Sequence, residues 1–445
     1  MSDASDTTAL PAALKRELID GARQARQRRA QALSPMPLQT PIPAAHYRFD
    51  LHPGYLQLRA MRDGAARLGV ENPYFKTHEG IAGATSLIEG RSYINFASYN
   101  YLGMAGDPAV CEAAKAAIDR YGTSTSASRL VSGERPVHQA LERALADLYG
   151  VDDAVTFVSG HATNVTTIGH LFGPRDLILH DALIHNSVLQ GIQLSGAHRL
   201  PFPHNDAQAL ERLLAAHRHE FERVLIVVEG LYSMDGDYPD LPRFVRAKQR
   251  HHAFLMVDEA HALGVLGPRG QGSHAHHGLS AGDVDIWMGT LSKTLAGCGG
   301  YIAGESALVE QLRFLAPGFL YSVGLPPALA AGSLAALRRM QADPERVATL
   351  RARGERFLSR ARAAGVDTGT SAGLAIIPAI VGDSMRAARL SAALWRQGIN
   401  AQPILHPAVP ENAARLRFFL SCLHTEAQID ATVDALVRGL AALAD

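Results

Sequence analysis

Short apolar runs punctuate the middle of this 445-residue chain, at residues 92–96, 154–158, 177–181, 224–228, 254–257 and 286–288. Each is brief and continuous rather than alternating, the pattern of a strand covered on both faces. Stretches with apolar residues at helical spacing separate them, among them residues 108–121 and 134–149. Strands alternating with helices over residues 95–305 predict an α/β fold with a mainly parallel, doubly wound sheet. Beyond Pro326-Pro327 the texture changes. Helices are expected at 344–365, 385–398 and 426–443, with strands at 374–381, 399–405 and 415–419. The chain therefore divides into an arm and lead-in (1–90), a large domain (91–330) and a small α+β domain (331–445), a division its length supports.

Composition narrows the class. Hydrophobic residues make up 47% and charged residues 19%, a soluble globular balance. Lys plus Arg and Asp plus Glu both number 43, so no net positive field favours nucleic acid. Cys111, Cys298 and Cys422 are far apart, which argues against a disulfide framework or a thiolate metal site and fits a reducing cytoplasm. No apolar run reaches the roughly 18 residues of a membrane span. His274, His276 and His277 lack acidic or cysteine partners at ligand spacing and are read as a loop, so no metal is expected.

Residues 12–32 read as a charged helix, followed by an extended linker with Pro35, Pro37, Pro41 and Pro43. A solvated arm is the plain reading. The sharper one is an arginine-rich arm that docks an acidic carrier protein or touches an anionic membrane surface.

The chemistry-bearing residues gather at strand ends. Asp258 ends the run at 254–257, with His261 three residues on, and Thr290, Ser292 and Lys293 follow the run at 286–288. Ligands of open α/β sheets sit outside the carboxyl ends of the strands. Pyridoxal phosphate needs an amine for its aldehyde and a carboxylate for its pyridine nitrogen, and Lys293 and Asp258 suit those tasks. His261 suits the ring hydroxyl or a substrate carbonyl. Either Lys293 or Asp258 alone is more often a surface lysine or a loop cap; together they favour the cofactor. The small-residue turn through Gly160 runs from strand to helix and offers free N–H groups to a phosphate, and His185 can stack on a ring.

Taken in order, the segments 98–103, 128–133, 159–164, 185–187, 229–236, 257–261, 290–293 and 407–417 resemble the α-oxoamine synthases, fold-type I pyridoxal phosphate enzymes. The resemblance covers about residues 90–440. It implies Lys293 as the imine-forming lysine and Asp258 as the nitrogen partner. It also implies His185 stacked on the ring, His261 and Ser233 near its hydroxyl, and Gly160, His161 and Thr290 on the phosphate. Arg415 is expected to hold the amino-acid carboxylate in a bidentate fork, with Asn100 in the substrate wall and Ser322 near the phosphate. Val323 departs from the Thr or Ser of many relatives, so no hydroxyl at that position is expected to reach across a dimer.

The implied reaction is a decarboxylative Claisen condensation of an amino acid with an acyl thioester, carried by coenzyme A or by an acyl carrier protein, in a homodimer. Tyr99-Asn100-Tyr101 looks like the serine palmitoyltransferase branch, so serine and a long acyl chain are expected. Glycine or alanine with another acyl donor is the alternative within the family, and an aminotransferase or lyase the alternative within the fold. A catalytically silent scaffold subunit is opposed by the presence of Lys293.

Overall fold

The structure, a computed structural model, describes residues 42–67 and 72–443. The expected helix at 12–32 and most of the proline-rich linker lie outside these residues. The chain forms two compact units, Met1–Asn72 and Pro73–Asp445. In the first, the helix Pro53–Arg67 is exposed at its described residues except the half-buried Gly64.

The second unit is built on a seven-stranded sheet. Its order is Asp153–Phe157, Gly300–Gly304, Ile286–Thr290, Phe254–Asp258, Val224–Glu229, Leu177–Asp181 and His198–Phe202. Only Gly300–Gly304 runs against its neighbours. Successive side chains fall into two separate apolar layers. Leu177, Leu179, Val224, Ile226, Leu255 and Val257 pack on one face, while Ile178, Leu225, Val227, Met256 and Met288 pack on the other. Both layers are buried, which is why these strands read as unbroken apolar runs.

Two strands escaped the pattern. His198–Phe202 is a mostly exposed edge strand containing Pro201, polar enough to pass for a loop. Gly300–Gly304 begins and ends in glycine. A β-carbon on Gly300 would lie 2.4 Å from Thr163 Oγ1 and 2.7 Å from Gly160 Cα. The missing side chain lets this strand seat the start of the helix Gly160–Leu171.

Two small sheets complete the unit. One joins Ile376–Gly382, Ala414–Phe419 and Gln402–Ile404. The other joins Thr85–Ile88 and Arg91–Asn95 to Ile399–Asn400, so the lead-in shares a sheet with the C-terminal part. The single strand expected at 399–405 is broken at Ala401. Its first half pairs in parallel with Ile94 and Asn95, its second antiparallel with Arg415–Arg417. Other boundaries shift by a few residues; the expected helix at 134–149 begins at Pro136.

Candidate active site

Parity along the strands decides which groups meet. Glu229, Asp258 and Thr290 end three adjacent strands on the face that carries Val227, Met256 and Met288. Glu229 and Asp258 are direct register partners. The helix Gly160–Leu171 covers the same face. Its capping Ser159 takes the N–H of Ala162 at 3.0 Å, leaving the first N–H groups, those of Gly160 and His161, facing outward at a positive helix end. Thr290 closes this corner: its hydroxyl donates to Gly299 O at 2.9 Å and accepts from Ser292 N at 3.2 Å.

Asp258 is buried. Its carboxylate accepts from Asn164 Nδ2 at 2.9 Å and from Ala260 N at 3.0 Å. The Asn164 amide also donates to Ser187 Oγ at 2.9 Å, and Ser187 Oγ lies 2.7 Å from His185 Nδ1. One asparagine thus ties the acid to the histidine. The His185 ring is open to solvent on one side. Crowding by protein holds its pKa below the ordinary value, helped by Lys293, His161 and Arg417 and opposed by Asp258.

Lys293 is half-buried, and its Nζ lies 5.7 Å from the Tyr99 ring centroid. Its amine makes no hydrogen bond among the described residues. Burial lowers its pKa to about 8, with Arg417 acting in the same direction and Asp258 and Glu229 opposing. Near neutral pH an appreciable fraction is therefore free amine. Glu229 is buried, with Oε1 lacking a partner among the described residues; burial, reinforced by Asp258, pushes its pKa well up.

His261 is buried, with Nδ1 2.7 Å from the Tyr101 hydroxyl. Burial, then the charges of Lys293, Arg417 and His185, depress its pKa strongly, so the ring is neutral. Burial raises that of Tyr101, which keeps its proton. When Tyr101 donates to Nδ1, Nε2 carries the hydrogen and is a donor.

Asp235 pairs with Arg415, whereas Arg417 has no carboxylate partner among the described residues. Arg415 is tied down through Nε and Nη1: it donates to Asp235 Oδ1 at 2.6 Å, Met234 O at 3.1 Å and Ala413 O at 3.0 Å. Arg417 donates to Ser233 O at 2.9 Å, lies over the Phe419 ring at 4.4 Å, and keeps a buried Nε without a partner among the described residues. Asn100 lines a cavity of about 350 Å³ together with Tyr99, His78, Ala105 and Lys293. Its amide is committed to Ala82 O at 3.0 Å and Ala105 N at 3.2 Å. Ser233 lends its carbonyl to Arg417. Ser322 lies elsewhere in the chain, in a crevice with Phe157, Val158 and Arg129. Asn164, Glu229, Tyr101 and Arg417 are the residues that sequence reasoning left without a role. The quoted motifs contain all of them.

These groups fit pyridoxal phosphate. A buried, doubly hydrogen-bonded carboxylate suits a protonated pyridine nitrogen, an unpartnered amine suits the aldehyde, and a helix start whose first two N–H groups stay open beside hydroxyls suits the phosphate. Among the described residues no cluster of His, Cys, Asp or Glu could hold a metal, and no helix is long and apolar enough to cross a membrane.

Comparison with known proteins agrees. Residues 91–436 match the family described as aminotransferase class I and II. A putative 8-amino-7-oxononanoate synthase of Desulforudis audaxviator is 43% identical over 355 residues, 80% of this chain and 91% of the relative. The 8-amino-7-oxononanoate synthase of Geobacter sulfurreducens is 42% identical over 82% of this chain and 93% of its own length. The serine palmitoyltransferase of Sphingomonas wittichii superposes with a TM-score of 0.85 at 31% identity, over 89% of this chain and 99% of that one.

Proposed function

This chain belongs to the class I and II aminotransferase family of pyridoxal phosphate enzymes, as an α-oxoamine synthase, and on that premise we propose that it condenses L-alanine with an ω-carboxylated acyl thioester. The name of its relatives' product dissects into an aminoethyl unit, alanine less its carboxylate, and a seven-carbon acyl unit ending in a carboxylate. Sequence identity of 43% to such a relative, against 31% to the serine palmitoyltransferase, favours this over the serine and long-chain expectation. Tyr99-Asn100-Tyr101 favours the second reading, serine with a long acyl chain.

The cofactor, when bound, supplies the electron sink that makes the amino acid's α-carbon nucleophilic. Asp258 would hold the ring nitrogen's proton, Gly160, His161 and Thr290 would take the phosphate, and His185 would cover the ring. The Arg417 guanidinium, which no carboxylate of the described residues neutralises, takes the amino-acid carboxylate in a fork. This is the observation that carries the substrate reading. Lys293, partly deprotonated, removes the α-proton. The Nε2–H of His261, backed by Tyr101, polarises the thioester carbonyl. Carbon–carbon bond formation expels the thiol and places a ketone β to the carboxylate. Carbon dioxide then leaves, and Lys293 returns a proton to the α-carbon.

The acyl donor arrives on coenzyme A or a carrier protein. The working unit is a homodimer, which the exposure of Val131 and Tyr321 on loops joined by Gly324 N to Ala127 O at 3.0 Å supports. In that dimer Ser322 serves the neighbouring subunit. Assays of thiol and carbon dioxide release with alanine, serine and glycine, each against seven-carbon dicarboxylic and long-chain thioesters, test the reading. Alanine with the dicarboxylic donor is expected to give the highest kcat/KM; serine with the long chain in first place would replace it.

A further inference from the structure

On the opposite face of the same sheet edge sits an ionic clamp that the chemistry above does not use. Asp181 ends its strand on the face of Leu177 and Leu179, away from Asp258, and is fully buried. His204 Nδ1 lies 2.9 Å from Asp181 Oδ1, and its Nε2 lies 3.0 Å from Asp237 Oδ2. Burial disfavours charge on the ring, but hydrogen bonds and attraction from both carboxylates outweigh it and push its pKa up to about 10. The ring is therefore an imidazolium donating from both nitrogens.

The turn is shaped for this. Asn205 takes a left-handed backbone, φ 55°, which delivers its N–H to Asp181 Oδ2 at 2.8 Å. Asp237 also accepts from Thr370 Oγ1 at 2.6 Å. A clamped imidazolium tolerates less displacement than a neutral hydrogen bond.

Asp237 closes the loop 230–237. Tyr232 N donates to Asp237 O at 2.8 Å, and Gly236 N donates to Tyr232 O at 2.9 Å. The crown of that loop presents Ser233 O to Arg417 and Met234 O with Asp235 to Arg415. We propose that His204 is a positioning residue for amino-acid recognition: it fixes the loop 230–237 from the far face of the sheet, and the loop fixes the guanidinium of Arg417. This rests on the reading that Arg417 takes the substrate carboxylate.

The test uses the cofactor-loaded enzyme and three variants, His204→Gln, Asp237→Asn and Arg417→Ala. L-Alanine affinity is read from the cofactor's visible absorbance, alongside KM for both substrates, kcat, cofactor affinity and thermal midpoint. His204→Gln is expected to raise the alanine Kd and KM about tenfold, with kcat, thioester KM and cofactor affinity within about twofold. Asp237→Asn is expected to raise the alanine Kd less, and it decides alone should His204→Gln not fold. A fall in thermal midpoint with an unchanged alanine Kd would leave His204 a purely structural brace and overturn the proposal. If Arg417→Ala weakens alanine and the clamp variants do not, only the clamp fails. If Arg417→Ala also leaves the Kd unchanged, the carboxylate reading fails with it.

Discussion

Arg415 and Arg417 leave the same face of one strand two residues apart, yet Asp235 takes the first at 2.6 Å and the second, beside Phe419 and Ser233, has no carboxylate partner among the described residues. Their removal should therefore fail in different ways. Arg417→Ala is expected to weaken amino-acid binding by about 3 kcal/mol, roughly a hundredfold in Kd, the worth of a charged bidentate pair. Arg415→Ala strands a largely buried Asp235 and should remove about 3 kcal/mol of fold stability, with a much smaller change in Kd. Denaturant unfolding and amino-acid titration on both variants separate the two roles. Equal Kd changes would return Arg415 to the carboxylate site.

Lys293 yields a pH signature in the cofactor-free protein. Its ordinary value is 10.5, and in the fold it titrates near about 8, mainly because burial disfavours the ammonium. Between those values the unfolded chain binds the proton and the folded chain does not, so stability rises with pH from about 8 to 10.5. Below 8 the folded protein bears the full penalty of the buried charge. The wild type should therefore gain on Lys293→Met across that window when thermal midpoints are compared, and a constant difference would contradict it. In the loaded enzyme Lys293→Ala should abolish turnover.

How much of this was legible beforehand follows from what each strand is made of. The five parallel strands whose apolar side chains face both layers announced themselves as unbroken runs, and their ends carry Asp258 and Thr290. The edge strand His198–Phe202 did not, because one exposed side and Pro201 erase the pattern. Arg415 and Arg417 could not be ranked from alternation, which puts both on one face; the choice is made by Asp235, 180 residues away in the chain. His204 carried no signal of its own, since one carboxylate partner ends a strand and the other lies in a loop far along the chain.

Asn164 is a further case of a role set by distance along the chain. Its amide reaches Asp258, 94 residues on, and also holds Ser187, the partner of His185. Asn164→Ala should leave Asp258 with one fewer donor and let His185 swing. Cofactor affinity is expected to fall about tenfold or more, as for loss of a group that orients a direct ligand, and Asn164→Asp should fare worse by placing a second carboxylate beside the first. Equilibrium dialysis of the cofactor measures both. An Asn164→Asp protein that binds as tightly as wild type would mean that Asp258 is not the ring-nitrogen partner.

Tyr101 offers the narrowest test of the acyl half-reaction. It is fully buried, and among the described residues its hydroxyl has one side-chain hydrogen-bond partner, His261 Nδ1 at 2.7 Å. Tyr101→Phe keeps the ring and its packing while removing that hydroxyl. The neutral imidazole is then free to carry its hydrogen on Nδ1, which turns Nε2 from donor to acceptor in part of the population. A donor that polarises the thioester carbonyl would be weakened, whereas the amino acid's carboxylate and α-proton are handled by Arg417 and Lys293. The expected outcome is a fall in kcat of about tenfold to a hundredfold, with amino-acid Kd and solvent exchange of the α-proton unchanged. Exchange falling in step with kcat would move His261 from the acyl carbonyl to the proton-transfer step.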